Sequence, residues 1–76
     1  MNEKRAAEAM GLVIREMRRK RKLTQIQLAR KSGLSTRQIN NIESGRRPPY
    51  LDEVFLLANA LEVQAWVLTR RLSDVL

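Results

Sequence analysis

The stretch "LTQIQLARKSGLSTRQINNIESG", Leu23 to Gly45, carries the same set of local instructions twice. Thr24 is suited to cap a helix, and Gln27 three residues later can return the hydrogen bond. Leu23 before the cap and Leu28 after it can close a hydrophobic staple. Ser35, Gln38, Leu34 and Ile39 repeat the arrangement. Between the two sets Ser32-Gly33 supplies a turn, with Gly33 suited to a positive φ. The spacing predicts one helix from Thr24 to near Lys31 and another from Ser35 to about Glu43. About three residues separate them, so the two must pack on each other. Ala29 leaves room for a close crossing, and Leu28, Leu34, Ile39 and Ile42 fill the corner. This is the spacing of a helix-turn-helix. An ordinary helical hairpin would explain the apolar positions equally well, but not the polar face of the second helix.

On a wheel of roughly 100° per residue, Ile39 and Ile42 mark the inward side of that helix. The outward side centres on Arg37 and Ser44, with Asn40 and Asn41 to either side and Thr36 at the edge. Asn and Thr are mediocre helix formers, and a merely solvated face is more often built from Glu, Lys, Gln and Arg. These side chains do suit the edges of base pairs in a major groove. Arginine can donate twice to guanine, asparagine can accept from and donate to adenine, and a threonine methyl can pack on the thymine methyl. Thr36, Arg37, Asn40 and Asn41 are therefore the candidate base contacts, with Asn40 able to serve bases or phosphate.

Three more helices are expected around this pair, and no sheet. The first spans about Glu3 to Arg21, with Ala6, Met10, Val13 or Ile14, and Met17 on its buried stripe. Its end, Arg15 to Lys22, holds six positive charges and one negative. Cations there also suit the negative end of the helix dipole, so part of the run has a structural reason. A basic loop broken by Pro48 and Pro49 follows the second helix of the pair. The fourth helix runs from about Leu51 to Leu61, with Leu51, Val54, Leu57, Ala58 and Leu61 inward. The fifth runs from about Gln64 to Ser73 or beyond. There Ala65, Leu68, Leu72 and Val75 form an a/d-like stripe. The expected fold is an all-α, five-helix, single domain over residues 1–76.

Composition narrows the function. Fifteen Lys and Arg against eight Asp and Glu give a net charge of +7, and the 76 residues include no Cys and no His. The commonest metal ligands and the commonest general base are thus missing, so no enzyme, metal or cofactor is expected. Eleven of the basic residues are arginine, which suits bidentate contacts to phosphate or guanine. Nucleic acid is the favoured partner, ahead of an acidic protein surface or an anionic membrane. No apolar run reaches the ~18–20 residues of a membrane span, no signal-peptide pattern opens the chain, and a cytoplasmic location is expected.

The residues Ile14-Arg15, Arg18, Leu23-Thr24-Gln25, Leu28-Ala29, Gly33, Ser35, Ile39, Ile42-Glu43, Gly45, Pro49, Leu51, Ala58 and Leu61 together resemble the lambda-repressor-like helix-turn-helix family of bacterial and phage transcription factors. The likeness covers about Gly11 to Leu68. It implies that residues 35–43 are a recognition helix and that the protein binds operator DNA as a symmetric dimer. It further implies a largely buried ion pair between Arg18 and Glu43. The wheel agrees, because Glu43 lies next to Ile39 and a half-buried carboxylate needs a partner. In the family pattern Thr36, Arg37 and Asn41 are base contacts and Gln25 binds phosphate. Ser44, Arg46 and Arg47 are placed to reach the DNA backbone, and Arg15, Arg19 and Lys22 to add longer-range attraction. A two-fold dimer would read a palindrome of on the order of 12–20 base pairs and repress by blocking polymerase.

The chain departs from the family at Tyr50, Glu62 and Gln64, where a small cap, a glycine and a Ser or Thr cap are common. The fourth and fifth helices are therefore expected to be more continuous than usual. Ile26 and Leu56 stand at positions that tend to be polar, either exposed or facing a partner. Leu68 is expected inward, and Trp66, Val67, Leu72, Val75 and Leu76 in a homodimer surface. An antitoxin or a restriction–modification controller of the same fold is the alternative, with a toxin or other protein as second partner.

Overall fold

The computed structural model describes residues 2–76 and consists of five helices: α1 (Glu3–Lys20), α2 (Gln25–Ser32), α3 (Thr36–Glu43), α4 (Leu51–Ala60) and α5 (Ala65–Val75). The helix starts follow from local side chains. Asn2 caps α1 by accepting from the backbone N–H of Arg5 at 2.8 Å. Thr24 and Ser35 cap α2 and α3, and Gln27 and Gln38 return the bond to each cap at 2.8 Å, so both capping boxes are closed. Gly33 ends α2 at φ +79°.

Ile14, Leu28, Ile39, Ile42, Leu57, Leu61 and Leu68 are completely buried and form the centre of the core. They come from all five helices. α1 packs on α3 and α5, α2 on α3 and α4, and α4 on α5. Of the stripe expected on α1, Met10, Val13 and Ile14 are buried, while Ala6 and Met17 are half-buried. Side chains of this size contribute about 1.5–3 kcal/mol each when fully buried, so the core orients α3 by its two isoleucines.

Leu51 is a correction. It was expected inward and is 74% exposed. It is the first residue of α4, one turn before the stripe of Val54, Leu57, Ala58 and Leu61 that packs in the core. The joint after α4 is a second correction, because α4 and α5 are not continuous. Leu61 caps α4, Glu62 takes φ +59°, and the N–H of Val63 donates to the Ala58 carbonyl at 3.0 Å. That is a Schellman closure with Glu62 in the place glycine usually holds. Lys22 at φ +56° closes α1 in the same way, with the Leu23 N–H donating to the Arg18 carbonyl at 3.1 Å.

Tyr50 precedes α4 without capping it through its side chain. The cap is closed from the other end, where Glu53 accepts from the Tyr50 N–H at 2.7 Å. Ile26 and Leu56 are exposed.

Candidate nucleic-acid interface

The interface is built around α3, and a buried carboxylate sets its far end. Glu43, whose side chain is wholly buried, accepts from Arg18 Nε at 2.7 Å and Arg18 Nη2 at 3.0 Å. The remaining Arg18 nitrogen donates to the Leu23 carbonyl at 2.7 Å. The expected pair is present, and its fork geometry satisfies both carboxylate oxygens. Arg15 Nε lies 3.5 Å from the same carboxylate.

Gln25, at the start of α2, extends this network towards the surface. Its Nε2 donates to Glu43 Oε1 at 3.1 Å, and its Oε1 accepts from Asn40 Nδ2 at 3.4 Å. Gln25 is half-buried. An amide expected only to meet phosphate thus also joins the buried pair to the exposed polar face of α3.

Thr36, Arg37, Asn40 and Ser44 are exposed along one side of α3, and Asn41 is half-buried beside them. The four candidate base contacts therefore share one surface. Asn41 Oδ1 accepts from Arg46 Nη1 at 3.3 Å, and Ser44 Oγ donates to the Asn41 carbonyl at 3.2 Å. Thr36 and Arg37, nearest the start of the helix, point into solvent.

The basic residues around this face divide. Arg19, Lys22 and Arg46 are exposed. Arg47 is turned off the surface. Its Nη1 and Nη2 donate to Glu53 at 2.7 and 2.9 Å, and the guanidinium lies 4.5 Å from the centre of the Tyr50 ring. Hydrogen bonding from Arg47, with help from the Tyr50 N–H and Gln38, holds the Glu53 carboxyl below the ordinary carboxylate range despite burial. The same bond raises Arg47. From the sequence Glu53 reads only as a helix N-terminal charge, because Arg47 lies across the two prolines from it.

Gly11 was also missed as a site residue. α1 crosses the end of α3 so closely that a Cβ on Gly11 would lie 2.6 Å from the carbonyl oxygens of both Ile42 and Glu43. Only glycine at this position lets the backbones of α1 and the end of α3 approach so closely.

The C-terminal residues expected in a dimer do not share a face. Trp66 is 59% exposed and lines a groove with Phe55, Ala58, Asn59 and Val63, on the α4 side. Val75 lines another with Leu12, Arg15, Glu16, Arg19 and Lys20, on the α1 side. Nine residues separate them, about half a turn around the helix. Leu72 packs against the core, Val67 and Leu76 are half-buried, and Leu68 is fully buried as expected. Phe55, 58% exposed, was not foreseen.

Among the described residues no helix is long and apolar enough to cross a membrane. Their Asp and Glu side chains form no group of three or more suited to a metal ion.

The helix-turn-helix family model matches residues 14–65. The immunity repressor protein of Bacillus phage phi105 is 42% identical over 55 residues, covering 72% of this chain and 38% of that repressor, so the chain spans well under half of that relative. The restriction-modification controller protein C.AhdI from Aeromonas hydrophila is 32% identical and superposes with a TM-score of 0.79 over 82% of this chain and 94% of that one. The clp gene regulator ClgR from Corynebacterium glutamicum, 22% identical, shares the fold with a TM-score of 0.85 over 91% of this chain and 73% of its own. The capped helix pair, the exposed polar face of α3 and these likenesses lead to one assignment: the chain belongs to the lambda-repressor-like helix-turn-helix family of DNA-binding transcriptional regulators.

Proposed function

We propose that the protein represses transcription as a dimer, reading a palindromic operator through the major groove with α3. One observation supports this most: the uncharged-polar face of α3, with its single arginine, is exposed and held at its far end by a buried ion pair. Thr36 and Arg37 enter first and meet base edges. Asn40 and Asn41 follow, already oriented by Gln25 and Arg46. Uncharged amides are favourable only where matching donors and acceptors face them, which is sequence reading rather than charge attraction.

Phosphate contacts then set affinity and register. Gln25 and the free N–H groups at the start of α2 suit one phosphate. Ser44 and Arg46 suit another, while Arg15, Arg19 and Lys22 extend the positive field. One domain touches few base pairs, so two copies on half-sites about one helical turn apart are needed for specificity. The Phe55–Trp66 face is the dimer surface we favour, since it exposes the two largest apolar side chains together.

Hydroxyl-radical footprinting on DNA enriched from a random pool tests the assembly. Two protected stretches related by two-fold symmetry are expected. A single protected stretch without a symmetric mate would remove the dimer from the scheme.

The likeness to C.AhdI favours a second reading, control of a restriction–modification system. It predicts an enriched sequence that occurs upstream of adjoining nuclease and methyltransferase genes. An antitoxin role would instead show as co-purification of a small protein encoded next door, seated on the exposed Leu56 or α5.

A further inference from the structure

The Glu53 carboxylate, in the first turn of α4, is almost fully buried, with 3% of its side chain exposed. Each of its oxygens accepts two hydrogen bonds. Oε1 takes Arg47 Nη1 at 2.7 Å and the Tyr50 N–H at 2.7 Å. Oε2 takes Arg47 Nη2 at 2.9 Å and Gln38 Nε2 at 3.1 Å. Three segments therefore converge on one carboxylate: the first turn of α3, the loop that leaves α3, and the first turn of α4.

Gln38 carries the link into α3. Its Oε1 accepts from the Ser35 N–H at 2.8 Å and so caps the helix, while its Nε2 donates to Glu53. Glutamate is the other residue that closes such a capping box, but it has no donor to offer Glu53. The amide is required for both bonds at once. At the opposite end of α3, Glu43 is held by Arg18. The recognition helix is thus fixed at each end by a different buried carboxylate, and Arg47 is the counter-charge for one of them.

We propose that Glu53, Gln38 and Arg47 form a clamp that sets the angle of α3 in the groove, with Arg47 acting as a positioning residue rather than as a phosphate ligand. This rests on the reading of α3 as the DNA-reading helix. The clamp has a consequence in salt dependence that a role in stability alone lacks. Each phosphate neutralised by a protein cation contributes about −0.9 to the slope of log affinity against log salt. Arg46, exposed and bonded to the Asn41 amide oxygen, contributes to that slope. Arg47, already neutralised by Glu53, does not.

The test compares R46Q, R47Q, Q38E and E53Q in the full chain. Affinities for an enriched DNA and for an unrelated DNA are measured over a range of salt, at a temperature where each variant is folded. R46Q is expected to flatten the slope by about 0.9. R47Q and Q38E are expected to keep the wild-type slope and to lower that ratio by at least about fivefold, the discrimination of a single base contact. E53Q frees Arg47, so its slope steepens while the ratio falls.

If R47Q flattens the slope as much as R46Q, Arg47 is a phosphate ligand and the clamp is wrong. If R47Q and Q38E melt earlier but keep the wild-type ratio, the network serves stability only and the proposal is overturned. R47Q and Q38E decide the matter even if E53Q does not fold. A wild-type ratio near one would instead defeat the reading of α3 itself, which separates the two failures.

Discussion

Replacing Gly11 by alanine tests how closely α3 is set against α1. The added Cβ would stand 2.6 Å from two backbone carbonyl oxygens, Ile42 and Glu43, and 3.0 Å from the Glu43 carbonyl carbon. Ordinary contact begins near 3.4 Å, so α1 and the end of α3 must part by roughly 0.8 Å. No rotamer change relieves this, because all three atoms are backbone. The same separation stretches the Arg18–Glu43 pair, which joins the same two helices at 2.7 Å.

Overpacking of this kind costs about 1–3 kcal/mol. Alanine returns up to about 1 kcal/mol through its higher helix propensity. The net loss is about 0–2 kcal/mol, which for a domain of this size lowers Tm by up to roughly 15 °C. Thermal denaturation followed by circular dichroism measures it. DNA affinity, measured where both proteins are folded, is expected to fall as well, because Asn41 and Ser44 ride on the displaced end of α3. Had Gly11 been an ordinary helical glycine, alanine would raise Tm and leave affinity alone. That result refutes the close crossing as the determinant of α3 position.

Other perturbations separate stability from reading. Glu43→Ala leaves the Arg18 guanidinium buried without its partner, a loss of about 3–5 kcal/mol; denaturant titration is expected to show the stability loss first and the binding loss second. A variant that melts like wild type but no longer binds would place Glu43 among the DNA contacts. Glu53 has a lowered pKa in the folded chain, so its contribution is present above its ordinary value of 4.5 and is lost as pH falls below it. Wild type is therefore expected to lose stability on acidification below 4.5 more steeply than Glu53→Gln, and parallel curves would show that the carboxylate is not linked to folding. Trp66→Lys is expected to shift the protein to monomer in sedimentation experiments, whereas Val75→Lys is not; the opposite order would move the dimer surface to the α1 side.

Much of the fold is legible because its signals are short-range. Thr24 with Gln27, and Ser35 with Gln38, declare two helix starts within four residues each, and the three-residue turn leaves the pair little choice of packing. The polar face of α3 follows from the positions of Ile39 and Ile42 alone. Features that depend on what stands opposite an element are harder to read. Leu51 fits the apolar stripe of α4 but is exposed as the first residue of that helix. Glu62 conceals a left-handed residue where glycine would have announced the break. Gly11 gains its meaning only from the carbonyl oxygens of α3, and Arg47 reaches Glu53 across a loop whose path two prolines set. The division of Trp66 from Val75 was readable, since nine residues are half a turn apart on any helix.

Sequence reading by α3 is tested most directly by selecting bound DNA from a random pool with wild type and with Arg37→Ala side by side. Wild type is expected to enrich one palindromic consensus. Arg37→Ala is expected to enrich the same sequence with preference relaxed at one base position in each half-site, a loss of about 1–3 kcal/mol of discrimination there. An identical consensus from both proteins, or none from wild type, contradicts the assignment of α3 as the helix that reads DNA.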